Sequence, residues 1–192
     1  MKKVLPFIAV ALLLVAFTPA KKTYKTVTEK STLEWKGHKP TGEHFGTVQI
    51  SEGMLQTNNG QIVTGNFTMD LKTIKVLDSE SPRLEKHLKS ADFFEVEAFP
   101  TANFVVSKSN VVDGKTKITG FLTIKGITKE INFMAQVSHN EAGQLVLESD
   151  SFKVNRADYN VKYKSKTFYA NLADKFIYDE FEIKVKVVSS PE

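Results

Sequence analysis

Residues 113–139 read DGKTKITGFLTIKGITKEINFMAQVSH. Ile118, Gly120, Leu122 and Ile124 alternate with Thr119, Phe121 and Thr123, the period-two pattern of a half-buried strand. After Lys125-Gly126, Ile131, Phe133, Ala135 and Val137 fall on one face of a second alternating run. Asp113-Gly114, just ahead of the first run, is one of the strongest short signals for a tight hairpin. The stretch therefore predicts consecutive antiparallel strands joined by minimal turns.

The pattern extends in both directions. STLEWKG (31–37) places Leu33 and Trp35 together. GTVQISEGMLQT (46–57) and GQIVTGNFTMDL (60–71) flank the turn-like Asn58-Asn59-Gly60. TANFVVSKSNVV (101–112) alternates Ala102, Phe104 and Val106 against Asn103 and Val105. GQLVLESDSFKV (143–154) is a further strand, and KFIYDEFEIKVKVV (175–188) puts Ile177, Phe181, Ile183, Val185 and Val187 on one face. The reading is all-β, with about eight antiparallel strands closing into a barrel or packing as a sandwich. One short helix is predicted at SPRLEKHLKS (81–90), capped by Ser81 with Pro82 in its first position. It falls in an unusually long connection, residues 72–100, where a hairpin needs about two to five residues.

The chain has 192 residues and no cysteine, so its core has to stabilise it without disulfides. Residues 1–20, with Lys2-Lys3, an apolar run from Val4 to Phe17 and Thr18-Pro19-Ala20, have the layout of a secretory signal peptide. Their alternative is an uncleaved anchor, although the run is shorter than the roughly 20 residues of a membrane span. Cleavage after Ala20 would leave one domain, residues 21–192, in the periplasm or outside the cell. Two charges of the formal +4 belong to Lys2 and Lys3, so the exported chain is close to neutral. Neither its charge nor an export signal suits a nucleic-acid binder.

HLKSADFFEVEAFPTANF (87–104) places Phe93 and Phe94 side by side between Asp92 and Glu95. Leu84, His87-Leu88, Ser90, Asp92-Phe93-Phe94, Phe99-Pro100, Ala102 and Phe104 together resemble the signature of the YceI-like family. GHKPTGEHFGTV (37–48), GFLTIKGITKEINF (120–133) and NRADYNV (155–161) are similar to three further family elements, in order. In the last, Asn160 stands where the family usually has glycine. The resemblance implies an extended, eight-stranded, lipocalin-like barrel. It also implies a carrier that holds a polyisoprenoid, an isoprenoid quinone or another long amphiphile in an apolar interior, with no cofactor besides that lipid.

On this reading Trp35, Phe67, Phe93, Phe94, Phe104, Phe133, Phe152 and Phe181 are the candidate lining, with Phe93 or Phe94 turned inward to close one end. Ordinary core packing is the competing explanation for each. His38, His44, Arg156, Tyr163 and Lys166 are the candidates for a polar head group. Arg156 has a structural alternative, an internal ion pair with Asp158 or Asp179, and the lysines around it a solvated face. The four histidines follow no metal-binding spacing, so no metal is expected. No nucleophile elbow or phosphate loop is present, and the protein is not expected to be an enzyme. A barrel enzyme for a small hydrophobic substrate, or a packed stress-related domain without ligand, are the rivals. A transient contact with a membrane fits a lipid carrier; monomer and homodimer stay open.

Overall fold

The computed structural model describes residues 21–80 and 82–192. The expected leader, residues 1–20, and the expected cap Ser81 lie outside them. Ten strands follow one another: β1 (Lys21–Thr26), β2 (Thr32–Lys39), β3 (Gly42–Asn58), β4 (Gln61–Val76), β5 (Thr101–Val112), β6 (Lys115–Ile124), β7 (Ile127–His139), β8 (Leu145–Ser149), β9 (Phe152–Asn155) and β10 (Glu180–Pro191). Helix α1 (Pro82–Lys89) sits in the β4–β5 connection.

All neighbouring strands are antiparallel, and the sheet closes on itself. β10 pairs with β2 and β1 on one side and with β8 and β9 on the other. β1 and β2 both pair with β3, at its end and at its beginning. β1–β2 and β8–β9 are thus two interrupted staves, and the ten strands make an eight-staved barrel. Serines mend the interruptions. Ser31 Oγ accepts the Val188 N–H at 3.0 Å, and Ser149 Oγ accepts the Val185 N–H at 2.8 Å. Both serines are buried, where an unpaired backbone N–H would be costly.

Beside Pro40-Thr41 between β2 and β3, three hairpins turn in two residues that include a glycine: Asn59-Gly60, Asp113-Gly114 and Lys125-Gly126. Every one of these six residues has a positive φ, as the type I′ geometry that matches strand twist demands. Asn160 also adopts the left-handed conformation, at φ 60°. It thereby does what glycine does elsewhere, which asparagine tolerates better than most residues.

The interior follows the alternation: Ile118, Leu122 and Ile124 of β6 are buried and Phe121 is exposed. Two inward glycines make room for rings. A Cβ on Gly120 would meet the Val105 carbonyl and stand 2.5 Å from the Phe104 ring, and one on Gly46 would run into the Lys75 carbonyl and stand 2.8 Å from the indole of Trp35.

The two ends of the barrel differ. One holds the short turns at 58–61, 112–115 and 140–144. The other, the mouth, holds two long connections, residues 77–100 and 156–179, beside the tight turns at 39–42 and 124–127. They leave from opposite sides of the barrel and meet over its opening. Ile177 and Asp179, which alternation assigns to the last strand, precede it and belong to the second connection.

Candidate functional site

Two apolar chambers occupy the barrel. The mouth chamber has a volume of about 150 Å³; its wall includes Trp35, Phe93, Phe94, Phe181, Ile124 and Leu88. The far chamber, about 70 Å³, is walled by Phe67, Phe104, Phe133 and Phe152, among others. Leu33, Met69, Leu122 and Ile183 border both and form a neck between them. In the far chamber Phe133 stacks on Phe152 at 4.5 Å and packs against Phe104 at 5.7 Å. Trp35 Nε1 is buried with no hydrogen-bond partner.

Apart from Arg156, polar side chains reach the mouth chamber between the start of β3, the end of β2 and residues 177–178. His38, Lys39, His44 and Tyr178 line it there, none of them fully buried. His44 Nδ1 donates to Asp78 Oδ2 at 2.7 Å, and Lys39 Nζ donates to His44 Nε2 at 3.1 Å. Burial pushes the Asp78 carboxyl upward. The hydrogen bonds from His44 and from the Phe45 N–H outweigh it and hold the pKa below the usual value. His38 Nε2 lies 3.2 Å from Glu182 Oε1, and Ser151 donates to the other Glu182 oxygen at 3.0 Å. The Ser151 hydroxyl is the main cause of a lowered Glu182 pKa; His38 and Lys36 add to it against some burial. Among the described residues, no group of three or more His, Asp or Glu side chains is placed to hold a metal ion.

Arg156 also borders the chamber, but its donors are committed. Nε donates to the Tyr178 carbonyl, Nη1 to that of Val161 and Nη2 to that of Ile177, at 3.1–3.2 Å. Nη2 stands 3.1 Å from Asp179 Oδ1, an ion pair too skewed to count as an aligned hydrogen bond. Asp179 Oδ2 accepts from Ser165 and Thr167, both at 2.8 Å. Burial lowers the Arg156 pKa, and Asp179 opposes that. The guanidinium therefore ties residues 156–179 to themselves, the structural alternative given above, with Asp179 rather than Asp158 as its partner.

The connections meet above it. Phe93 packs on Tyr163 at 5.5 Å, His87 on Tyr163 at 4.5 Å, and Arg156 lies over the Phe93 ring at 5.8 Å. Lys125 Nζ reaches Glu95 at 3.3 Å and anchors the first connection to the β6–β7 turn. Phe93 is buried and Phe94 half-buried, both against the chamber, while Asp92 is exposed.

All eight aromatic candidates border one chamber or the other, and His38, His44 and Arg156 border the mouth chamber. Tyr163 and Lys166 do not. Tyr163 packs behind the lid, and the exposed Lys166 lies over the Phe176 ring at 3.4 Å. Sequence reasoning missed Lys39, Met69 and Leu71 as lining. Alternation within β4 marks Met69 and Leu71; no sequence signal marks Lys39.

A model of the YceI-like domain matches residues 24–189. UPF0312 proteins of Pseudomonas putida and Pseudomonas fluorescens are 31% identical over 105 residues and 30% identical over 132 residues. These alignments cover 54% and 68% of this chain, and 54% and 65% of the relatives; the chain thus spans about half the length of the first of them. Among solved structures, Burkholderia cenocepacia BcnA is similar with a TM-score of 0.70 at 18% identity, over 85% of this chain and 98% of that one. A polyisoprenoid-binding domain from Saccharophagus degradans has a TM-score of 0.65 at 13% identity, over 88% and 98%. At these identities the structures establish the shared fold.

Proposed function

The chain belongs to the YceI-like family, and on that premise we propose that it is an exported carrier that shelters a long-chain amphiphile, an isoprenoid-type lipid, inside the barrel. One observation carries the reading: the interior is two apolar chambers in line, with polar side chains bordering it at the mouth end and none in the far chamber. Such a cavity stabilises a chain in proportion to the apolar area it removes from water. At the rim the Lys39 ammonium has donors left over after His44 for an oxygen-bearing head group, and His38 and His44, held by Glu182 and Asp78, shape the place it enters. Lining Phe93 and Phe94 close the chamber over the chain, and Arg156 keeps the opposite half of the lid in shape.

Size constrains the cargo. A dry apolar cavity of about 150 Å³ is one that takes up a benzene-sized molecule. The mouth chamber therefore accepts a ring or the first isoprene units as it stands, and a longer chain enters the far chamber by displacing Leu33, Met69, Leu122 and Ile183. Binding is the reading the walls support best, because the side chains that line the two chambers are mostly apolar.

Mass spectrometry of organic extracts of the protein, purified without detergent from an isoprenoid-producing bacterium, tests the reading. An equimolar isoprenoid-chain lipid is expected. Repeatedly lipid-free protein, in a cell that contains such lipids, would count against a carrier and for a packed domain.

A further inference from the structure

One lip of the mouth gathers large exposed apolar side chains and lysines. Phe168, Tyr169 and Tyr178, all in the second connection, are 39%, 49% and 49% exposed. Phe45 and Leu77, joined by the Leu77 N–H to the Phe45 carbonyl at 2.9 Å, are exposed at the root of the other connection and lie outside this lip. Exposed apolar side chains clustered as on this lip mark an interaction surface. Lys162, Lys166 and Lys175 are exposed in the second connection, and from residue 160 to 175 Asp174 is the one acid against them. Lys162 Nζ lies 5.3 Å from the Phe168 ring centre and Lys166 Nζ 3.4 Å from that of Phe176, so the stems run along aromatic surface. Rings with lysines reaching past them are the composition that settles at the interface of a bilayer.

Charge distinguishes the two lips. The first connection carries Asp78, Glu80, Glu85, Asp92, Glu95 and Glu97 and does not present a uniformly basic face. The lysine lip, in contrast, continues into the chamber wall through Ile177 and Tyr178, and the Tyr178 ring packs on Phe176 at 5.0 Å. We infer that residues 162–178 dock the barrel on the surface of an anionic bilayer, with the mouth at the interface. An apolar chain then passes between the acyl layer and the chamber without crossing water. This rests on the carrier reading above.

Flotation with vesicles tests it, using the full chain, K162Q/K166Q/K175Q and F168S/Y169S. One set of vesicles is phosphatidylcholine, the other equimolar phosphatidylcholine and phosphatidylglycerol. Wild type is expected to bind the anionic set selectively and to release as salt screens the contact. At about fivefold in binding for each lysine near an anionic surface, the triple variant should bind about a hundredfold more weakly. The aromatic variant should also lose binding. All five positions are exposed, so both variants should melt like wild type. A contribution of residues 1–20 is identical in the three chains and drops out of the comparison. Failure of wild type to bind either vesicle set overturns docking, as does equal binding by wild type and both variants. A stable complex with a soluble protein that needs the same lip, in place of vesicle binding, also overturns it. Lipid content of the same preparations separates the two ideas. Lipid-loaded protein that ignores vesicles removes docking alone; lipid-free protein that binds them selectively keeps docking and removes the carrier.

Discussion

The two ends of this barrel are made of the same strands and behave as different materials. At the far end two-residue turns with positive φ at both positions lock the register, and aromatic rings pack over Gly120. At the mouth the chain spends residues 77–100 and 156–179 on connections that meet across the opening, beside the polar rim of β2 and β3, and leave the larger cavity beneath them. Local chemistry shapes the first; contacts between residues far apart in sequence hold the second. Mutations at the far end should therefore lower stability with little else, whereas most at the mouth should alter binding more than stability.

Arg156 is where that contrast is most exposed to failure, because it is a mouth residue with a structural role. Arg156→Leu leaves Asp179 half-stranded and three carbonyls unpaired. Removing one partner of such a buried pair costs about 3–5 kcal/mol, which urea unfolding would register as a large drop in midpoint. Loss of lipid affinity at an unchanged midpoint would make Arg156 a head-group ligand instead. At the far end, Gly120→Ala pushes a Cβ against the Val105 carbonyl and the Phe104 ring and should cost about 1–3 kcal/mol by overpacking, with binding to the mouth chamber retained. Phe94→Ala is the converse case. The half-buried ring should yield about 1 kcal/mol of stability, near the centre of the distribution for point changes, yet weaken lipid retention clearly. A large destabilisation with intact binding would reduce the aromatic doublet to a pin for the loop.

The smallest effect is electrostatic. Asp78 and Glu182 at the rim, and Glu85, which accepts the Val76 N–H at 3.1 Å, have pKa values lowered by the fold. A carboxyl whose folded pKa is depressed contributes stability that is full above its unfolded value and is lost as pH falls through the folded one. The urea midpoint should therefore fall between neutral pH and about pH 3. Asp78→Asn should remove part of that slope, by less than about 1 kcal/mol, since these groups are partly solvated. A slope that Asp78→Asn leaves intact would show that the rim pair is not coupled to folding.

How much the sequence disclosed divides along the same line. Alternation identified the inward faces of β5 and β6, and Asp113-Gly114 and Lys125-Gly126 marked their turns, because a period of two and a two-residue turn are local properties. β1 escaped: Lys21–Thr26 offers only Tyr24 and Thr26 to the interior, too little for a periodic signal. The serines that mend the broken staves were invisible, since Ser31 and Ser149 matter through partners 157 and 36 residues away. Trp35, Phe67 and the other aromatic candidates were reachable from strand pattern together with the family resemblance. Tyr163 and Lys166 were named for charge and chemistry in a segment whose path no periodicity fixes. The structure places one behind the lid and the other on the outer lip.

The central claim is that the mouth chamber is a ligand site, and the chain carries its own reporter. Trp35 is its one tryptophan and stands in the chamber wall. Titrating delipidated protein with geranylgeraniol should change Trp35 emission in a saturable, equimolar manner, and Phe94→Ala should weaken that response. Emission that stays constant while ligand is in excess, in protein shown to be folded and lipid-free, would contradict the claim.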